Sequence, residues 1–378
     1  MNAATLQGQD NAIVPILYMA MELSNKQWRL VFGDGSKRRR VAVEAGYREQ
    51  LGEAVAKAKE KFGLPGDTRV VSCYEAGRDG FWLHRYLSSI GIQNQVVDSS
   101  SIEVNRRLRR AKTDRIDGDK LLTMLMRYCG GERDLWRVVQ VPSVEEEDAR
   151  QLHRELERLK KERTGHRNRL QGLLVAQGIR LKPRRDFLER LEKVSLWEGS
   201  PLPADLKAEL GREYQRLKLV EEQIHTLETV QAERLQEAET EALKQVVQWM
   251  SLCGIGQSSA WVFVMEFFGW RRFRNRREVG ALAGLTGTPY ASGDSQRDQG
   301  ISKSGNRRIR TLIIEIAWSW LRYQPEAKLS LWFKERFASG GKRMRRIGIV
   351  ALARRLLIAL WQYLEHGLLP PGAKLKPA

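Results

Sequence analysis

The sequence predicts a mixed α/β domain, followed by a pair of long amphipathic helices and then a mainly helical domain. Three observations predict it. Short apolar or alternating runs are interleaved with 3.6-residue periodicity over residues 16–97. Between residues 143 and 243 the pattern becomes a charged heptad. Beyond residue 244 helical spacing continues, punctuated by glycine and strongly basic. At about 150 residues per domain, 378 residues accommodate two or three such units.

The elements follow in order. Ile16–Glu22 and residues 27–32 read as strands joined by a tight turn at Ser24 and Asn25, with a third strand over 39–44. Residues 47–62 carry Leu51, Val55, Ala58 and Phe62 at helical spacing, and Gly63 and Pro65 end the run. Residues 68–74 (TRVVSCY) have the composition of a buried strand. Residues 80–90 form a helix through Phe81, Leu83, Leu87 and Ile90, and 95–97 a further short strand. Three strands, a helix, then strand–helix–strand is the order of a ribonuclease-H-like core, an opening that many α/β folds share.

In the heptad region Leu152, Leu156, Leu159, Leu170 and Leu173 share a seam that Arg163 and His166 interrupt. Leu210, Tyr214, Leu217, Ile224 and Leu227 share a face of a second helix. The connection over 180–203 contains Pro183, Pro201 and Pro203, so the pair predicts an antiparallel hairpin or coiled-coil arm, with an intramolecular bundle as the alternative. Next, Gly254-Ile255-Gly256 precedes a helix over 258–268, a turn of the helix–hairpin–helix kind. The expected organisation is therefore an α/β domain over 1–130, an arm over 143–243, a mainly α domain over 244–366 and a poorly ordered proline-containing tail over 367–378.

Charge and cysteine usage narrow the function. The 65 Lys+Arg against 46 Asp+Glu give a net charge of +19, a surplus that points to a polyanionic partner. By thirds (1–120, 121–240, 241–378) the net charge is +5, 0 and +14. A neutral arm suits dimerisation better than a DNA grip. Cys73, Cys129 and Cys253 lie far apart without a C-x-x-C pair, which excludes a zinc finger or disulfide framework and suits reduced thiols. The N-terminus lacks the basic region of a signal peptide. Residues 344–364 come closest to a membrane span, but Arg345, Arg346, Arg354 and Arg355 interrupt them. A cytoplasmic, nucleoid-associated protein with no membrane partner is the expectation.

Two constellations carry chemistry. Glu22 and Glu75 close predicted strands, where open sheets present their sites. Asp114 and Asp117 stand three apart in RRAKTDRIDGD, on one face of a helix, whereas Asp119 points elsewhere. Four carboxylates without nearby Cys or His suit Mg2+ or Mn2+, and such ions can activate a nucleophile and stabilise a leaving oxygen at a phosphodiester. The second constellation is TPYASGDS over 288–295 with GISKSGNRRIR over 300–310. Ser292 precedes a glycine, which lets its hydroxyl approach a phosphate closely. By spacing alone it is an ordinary loop serine, because none of the five histidines forms a triad with it. Arg271, Arg272 and Arg274, interleaved with Trp270 and Phe273, and then Lys303, Asn306, Arg307, Arg308 and Arg310 are the expected nucleic-acid contacts.

Together, CYEAG at 73–77, AKTDRIDG at 111–118, ALAGLTGTPYASG at 281–293 and GISKSGNRRIR at 300–310 resemble the DEDD-type transposases of bacterial insertion sequences. These are described as bridge-RNA-guided recombinases, and the resemblance covers nearly the whole chain. It implies a RuvC-like (ribonuclease-H-like) N-terminal domain, a coiled-coil arm and a C-terminal transposase domain with a nucleophilic serine. By position Glu22, Glu75, Asp114 and Asp117 become the metal ligands, although the family pattern begins with Asp where this chain has Glu22. Ser292 becomes the nucleophile, with Ser295 as the alternative. The implied reaction is Mg2+-dependent strand cleavage and exchange through a serine–DNA link. Donor and target duplexes and a noncoding guide RNA are the implied partners, with a homodimer assembling to a homotetramer. The rivals are a RuvC-type junction nuclease using metal-activated water and a non-catalytic nucleic-acid-binding protein.

Overall fold

The computed structural model describes residues 15–77, 79–102, 114–292 and 295–377; the side chains of residues 100, 114–117, 290–292 and 295–299 lie outside the description. The chain divides into two compact units, Met1–Val141 and Pro142–Ala378.

The first unit is a five-stranded sheet between helices. Its elements are β1 (Ile16–Glu22), β2 (Gln27–Gly33), β3 (Arg38–Glu44), α1 (Arg48–Phe62), β4 (Arg69–Glu75), α2 (Trp82–Ser89), β5 (Gln93–Val97) and α3 (Asp114–Cys129). The strand order is β3-β2-β1-β4-β5. β2 runs antiparallel to β1 and β3, while β4 runs parallel to β1 and β5. Strand alternation splits the apolar residues between two faces. Met19, Met21, Trp28, Phe32 and Tyr74 pack with α1 and α2. Ala20, Val31, Val71 and Cys73 pack with Leu122 and Leu125 of α3. Beyond α3 the chain returns to cover the edge of β5: Val139 N–H donates to Val96 O (2.7 Å), Val138 bridges Val97, and Trp136 is buried. A paired edge is protected from stray strand addition, and here it carries the first unit on to residue 141.

The second unit is helical apart from one hairpin. It begins with α4 (Val144–Asp148), whose Ser143 and Glu146 form a capping box, and continues with α5 (Gln151–Val175), α6 (Phe187–Glu192), α7 (Ala204–Glu237) and α8 (Glu241–Met250). α9 (Gln257–Phe263) passes into a π-helical turn over Val264–Phe268. Then come α10 (Arg276–Leu282), β6 (Gly287–Ser292), β7 (Ser295–Ile301), α11 (Arg307–Tyr323), α12 (Lys328–Phe337) and α13 (Lys342–His366).

The heptad helices α5 and α7 pair antiparallel within the chain. Leu156 and Leu159 meet Val220 and Ile224 along the seam, and the Lys160–Glu228 (2.8 Å) and Arg167–Glu221 (2.6 Å) ion pairs fix the direction. Where Arg163 and His166 break the heptad, α7 supplies the buried Glu213, which bonds His166, Arg169 and Arg216. The polar break is thus satisfied internally rather than left as a gap. At the turn end α6 closes a small core of Leu170, Leu174, Phe187, Leu191, Leu210 and Tyr214.

α13 runs through the main core of this unit, burying Ile349, Leu352, Leu356, Leu357 and Leu360 among Trp249, Trp261 and Trp320. It is the one described helix long and apolar enough to cross a membrane; a stretch of it holds few enough charges to pass despite Arg354 and Arg355. The tail departs from expectation. Lys374 N–H and Gln324 Nε2 exchange hydrogen bonds with the opposite carbonyl oxygens (2.7 Å each), Cys253 N–H donates to Lys374 O (3.1 Å), and Leu375 bridges Leu252. The prolines exclude helix, but this hydrogen bonding holds the segment extended against the core. Gly254 has φ +89°, and a Cβ there would stand 3.2 Å from Tyr323 Cβ, so its turn serves close packing on α11.

Candidate functional site

Two of the four expected carboxylate residues become neighbours through strand register. Met21 pairs with Tyr74 in the parallel β1–β4 ladder, so Glu22 and Glu75 are the next residues of adjacent strands, about 4.8 Å apart at the backbone. Parity puts both on the α3 face, in step with Ala20 and with Val71 and Cys73. One Glu22 carboxylate oxygen is shielded from solvent, while Glu75 is exposed.

α3 is pressed onto the same face. A Cβ at Gly118 would lie 2.9 Å from Val31, and one at Gly33 would lie 3.1 Å from Leu122. Val31 pairs with Ala20 and Gly33 with Tyr18, so α3 runs against β1. One turn back from Gly118 is Asp114, about 6 Å along the helix, which matches the ~6.6 Å from Ala20 to Glu22 along the strand. The first turn of α3, with Asp114 and Asp117, thus begins at the level where Glu22 and Glu75 end; the side chains of Asp114 and Asp117 lie outside the described residues. Asp119 faces the other way and pairs with Arg40 (2.5 Å), while Arg38 donates to Thr123 (2.9 Å), so β3 anchors the helix. Among the described residues no three His, Cys, Asp or Glu side chains cluster as metal ligands. Two hard oxygen donors, with a third and fourth carried on the first turn of α3, fit a magnesium-type ion by donor chemistry.

The second constellation is a hairpin standing on two interlocked loops. Gly284 (φ +69°) and Gly305 (φ +102°) bring these loops together: a Cβ on Gly284 would sit 2.2 Å from Ser304 O, and one on Gly305 2.3 Å from Leu282 O. Ser302 N–H donates to Thr286 O (2.8 Å) and Asn306 N–H to Leu282 O (2.8 Å). This contact pins the base of β6–β7. In the ladder Ser292 pairs with Ser295, so the two candidate nucleophiles face each other at its last rung; their side chains lie outside the described residues.

The comparisons with known proteins bear on both constellations. The family model Transposase IS116/IS110/IS902 matches residues 248–330, from the end of α8 through the hairpin to the start of α12. A Sinorhizobium fredii protein named as the transposase y4rJ is 41% identical over 377 residues, covering 95% of this chain and 94% of that protein. The chain belongs to this transposase family. The transposase for insertion sequence element IS1111A of Coxiella burnetii is 29% identical, over 75% of this chain and 74% of its own length. A family 20 transposase of Pseudomonas aeruginosa is 30% identical over 62% and 68% of the two chains.

In this insertion-sequence transposase the expected nucleic-acid contacts differ in exposure. Arg271, Asn306, Arg308 and Arg310 are half-buried. Arg271 stacks on Trp270 (4.0 Å) and donates to Glu266 O (3.0 Å), and burial lowers its pKa to about 10. Asn306 caps α11 by accepting from Ile309 N–H (3.2 Å). Arg308 bridges Glu157 and Glu266 (2.8 Å each), and Arg310 donates to Ala283 O (3.3 Å). Arg272, Arg274, Lys303 and Arg307 are exposed.

Two features escaped the sequence reading. Glu266 sits in an aromatic run that reads as ordinary core helix. It is buried on the π-helical turn, between His153 (2.9 Å), Arg154 (2.6 Å) and Arg308. Burial works to raise its pKa, but bonds from His153 and Arg154 outweigh that and hold it well below the usual carboxylate range. The other is the arginines of α13 at 343, 346 and 354, whose spacing of three and eight puts them on one helix face, a signal present in the sequence.

Proposed function

We propose that this insertion-sequence transposase cleaves and exchanges DNA strands with a carboxylate site on its first unit and a serine nucleophile on its second. The approach of Glu22, Glu75 and the start of α3 at the carboxyl ends of the adjacent strands β1 and β4 carries the reading. The strand order β3-β2-β1-β4-β5, antiparallel on one side and parallel on the other, supports a ribonuclease-H-like, RuvC-type first unit. Glu22, Glu75, Asp114 and Asp117 would hold Mg2+ or Mn2+. When bound, the ion supplies Lewis-acid stabilisation of negative charge at the scissile phosphate.

The protein's own groups do the rest. Ser292, at the tip of a hairpin whose base is locked by Gly284 and Gly305, is presented to a phosphodiester. Its Oγ forms a bond to phosphorus, the bond from phosphorus to the 3′ oxygen breaks, and the serine proton ends on the released 3′ hydroxyl. A second 3′ hydroxyl then attacks the phosphoserine, rebuilding the diester and returning the proton to Ser292. Exposed basic residues, Arg272, Arg274, Lys303 and Arg307 among them, hold backbone phosphates, and the surplus of +19 suits RNA as well as DNA. A noncoding guide RNA would choose the donor and target duplexes. The α5–α7 hairpin would join copies into a dimer and then a tetramer, so that the two constellations can meet between protomers.

The test is strand exchange between element-end and target DNA in cells. Ser292→Ala and Glu75→Gln should each abolish it. Loss with Glu75→Gln alone would point to hydrolysis by water.

A further inference from the structure

Beside the base of the serine hairpin lies an open groove of about 1600 Å³. It is larger than the roughly 300–1,000 Å³ that suits one small ligand, so its size fits a stretch of polymer. Gly287 and Gly300, at the foot of β6 and β7, are part of its wall. Its charged groups are of one sign. α10 contributes Arg276 and Arg277, and α13 contributes Lys342, Arg343, Arg346 and Arg354; none of the described residues lining it is acidic. Between these cations the wall is apolar, with Trp332, Phe337, Ile347 and Val350, and Ile347 is half exposed. Arg355 already lies 4.0 Å over the Trp332 ring.

We infer that this groove holds an unpaired nucleic-acid strand, its phosphates on the arginines and lysine and its bases against Trp332, Phe337 and Ile347. The inference rests on the nucleic-acid reading above and adds which form of the polymer this surface takes. A duplex keeps its base faces stacked inside and offers a protein mainly phosphates, so it has no use for exposed apolar side chains between cations. An unpaired strand exposes base faces that pack on aromatic and apolar groups in any sequence. An acidic peptide or an anionic membrane would match the charge, yet neither needs a concave wall of this mixed kind next to a hairpin that handles phosphodiesters. Arg343, Arg346 and Ile347 are three and one residues apart and exposed at the start of α13, a helix that is anchored in the core further on by Ile349, Leu352 and Leu356.

The test uses the full chain and fluorescence anisotropy with short labelled oligonucleotides: single-stranded DNA, single-stranded RNA and the matching duplex. Replacing Lys342, Arg343 and Arg346 together by glutamine should weaken single-strand binding by ~10–100-fold at low salt. It should also flatten the dependence of log K on log salt by ~2, at about 0.7 per lost phosphate contact. Duplex binding should fall by less than ~3-fold, because the remaining basic surface still meets its phosphates. Ile347→Asp should weaken only the single strands, with an unchanged melting curve showing that the fold is intact. A preference for RNA or for DNA identifies which strand the groove takes, and either supports the inference. Equal loss for duplex and single strand, no loss for either, or stronger competition by polyglutamate or anionic vesicles than by a single strand of equal charge would overturn it. If the groove variants change nothing while strand exchange still depends on Ser292, this inference fails and the recombinase reading stands. If the unaltered protein binds no nucleic acid, the recombinase reading fails as well.

Discussion

Glu266→Gln is the most informative perturbation of the second unit. The carboxylate is 3% exposed and lies within hydrogen-bond reach of His153 Nε2 (2.9 Å), Arg154 Nε (2.6 Å), Arg154 Nη2 (2.9 Å) and Arg308 Nη1 (2.8 Å). A glutamine keeps the shape but removes the charge, and its amide nitrogen brings a donor into a site filled with donors. Breaking a buried, bonded charge in this way costs ~3–5 kcal/mol. Arg154 is 38% exposed and can regain water, and Arg308 keeps Glu157, so the lower end of that range applies. For a unit running from Pro142 to Ala378, at ~2–4 °C per kcal/mol, ~3 kcal/mol amounts to a fall of ~6–12 °C in the calorimetric transition. The pH dependence has a definite sign. The folded pKa of Glu266 is depressed, so its stabilisation is complete above the unfolded value of ~4.3 and is lost as pH falls below it. Below pH ~4.3 the parent protein should therefore lose stability more steeply than the glutamine variant, and the two curves should converge toward strong acid. Melting within ~2 °C of the parent at pH 7 with a parallel acid profile would refute the reasoning, since ~3 kcal/mol demands more.

Other perturbations test the remaining parts. Gly284→Ala should cost ~2–4 kcal/mol and abolish strand exchange, because φ +69° and a backbone oxygen 2.2 Å from the new methyl both oppose it; the thermal transition and strand exchange are the readouts. Gly172→Ala, on α5 with open space around it, should instead stabilise by ~0.5–1 kcal/mol in the same calorimetric scan. Under the proposed carboxylate site, Glu22→Gln should lower strand cleavage by ~100-fold or more without altering the circular dichroism spectrum, whereas Glu22→Asp, which keeps a carboxylate there, should retain cleavage. Breaking the Arg40–Asp119 pair with Arg40→Ala should leave the midpoint of a denaturant titration unchanged, because the solvent around the guanidinium screens the pair.

Much of the first unit was legible because strand patterning is local: the alternation in Ile16–Glu22 and the buried run ending at Tyr74 mark β1 and β4 almost to the residue. That Glu22 and Glu75 become neighbours was not, since it depends on the parallel register between strands 53 residues apart, which no local pattern encodes. The long helices were legible from their leucines, but the polar break at His166 gained its meaning only from Glu213 on the other helix. Proline content suggested a loose tail. Pro and Gly exclude helix, yet an extended segment can still hydrogen-bond, as Lys374 does with Gln324. Clustered arginines read as a solvent-facing nucleic-acid grip, although Arg271 and Arg308 complete the setting of a buried Glu266. The groove was hidden because its cations come from α10, Lys303, α12 and α13, spread over more than 60 residues of sequence.

The central claim is tested most directly by incubating the purified protein, Mg2+, its element-adjacent RNA and labelled element-end DNA, then searching for protein covalently joined to DNA under denaturing conditions. The account predicts a phosphoserine-linked adduct that maps to Ser292, accumulates when the acceptor 3′ end is blocked, and disappears with Ser292→Ala. Cleaved DNA without any adduct, at a rate unchanged by Ser292→Ala and Ser295→Ala, would contradict it and leave hydrolysis at the carboxylates as the reaction.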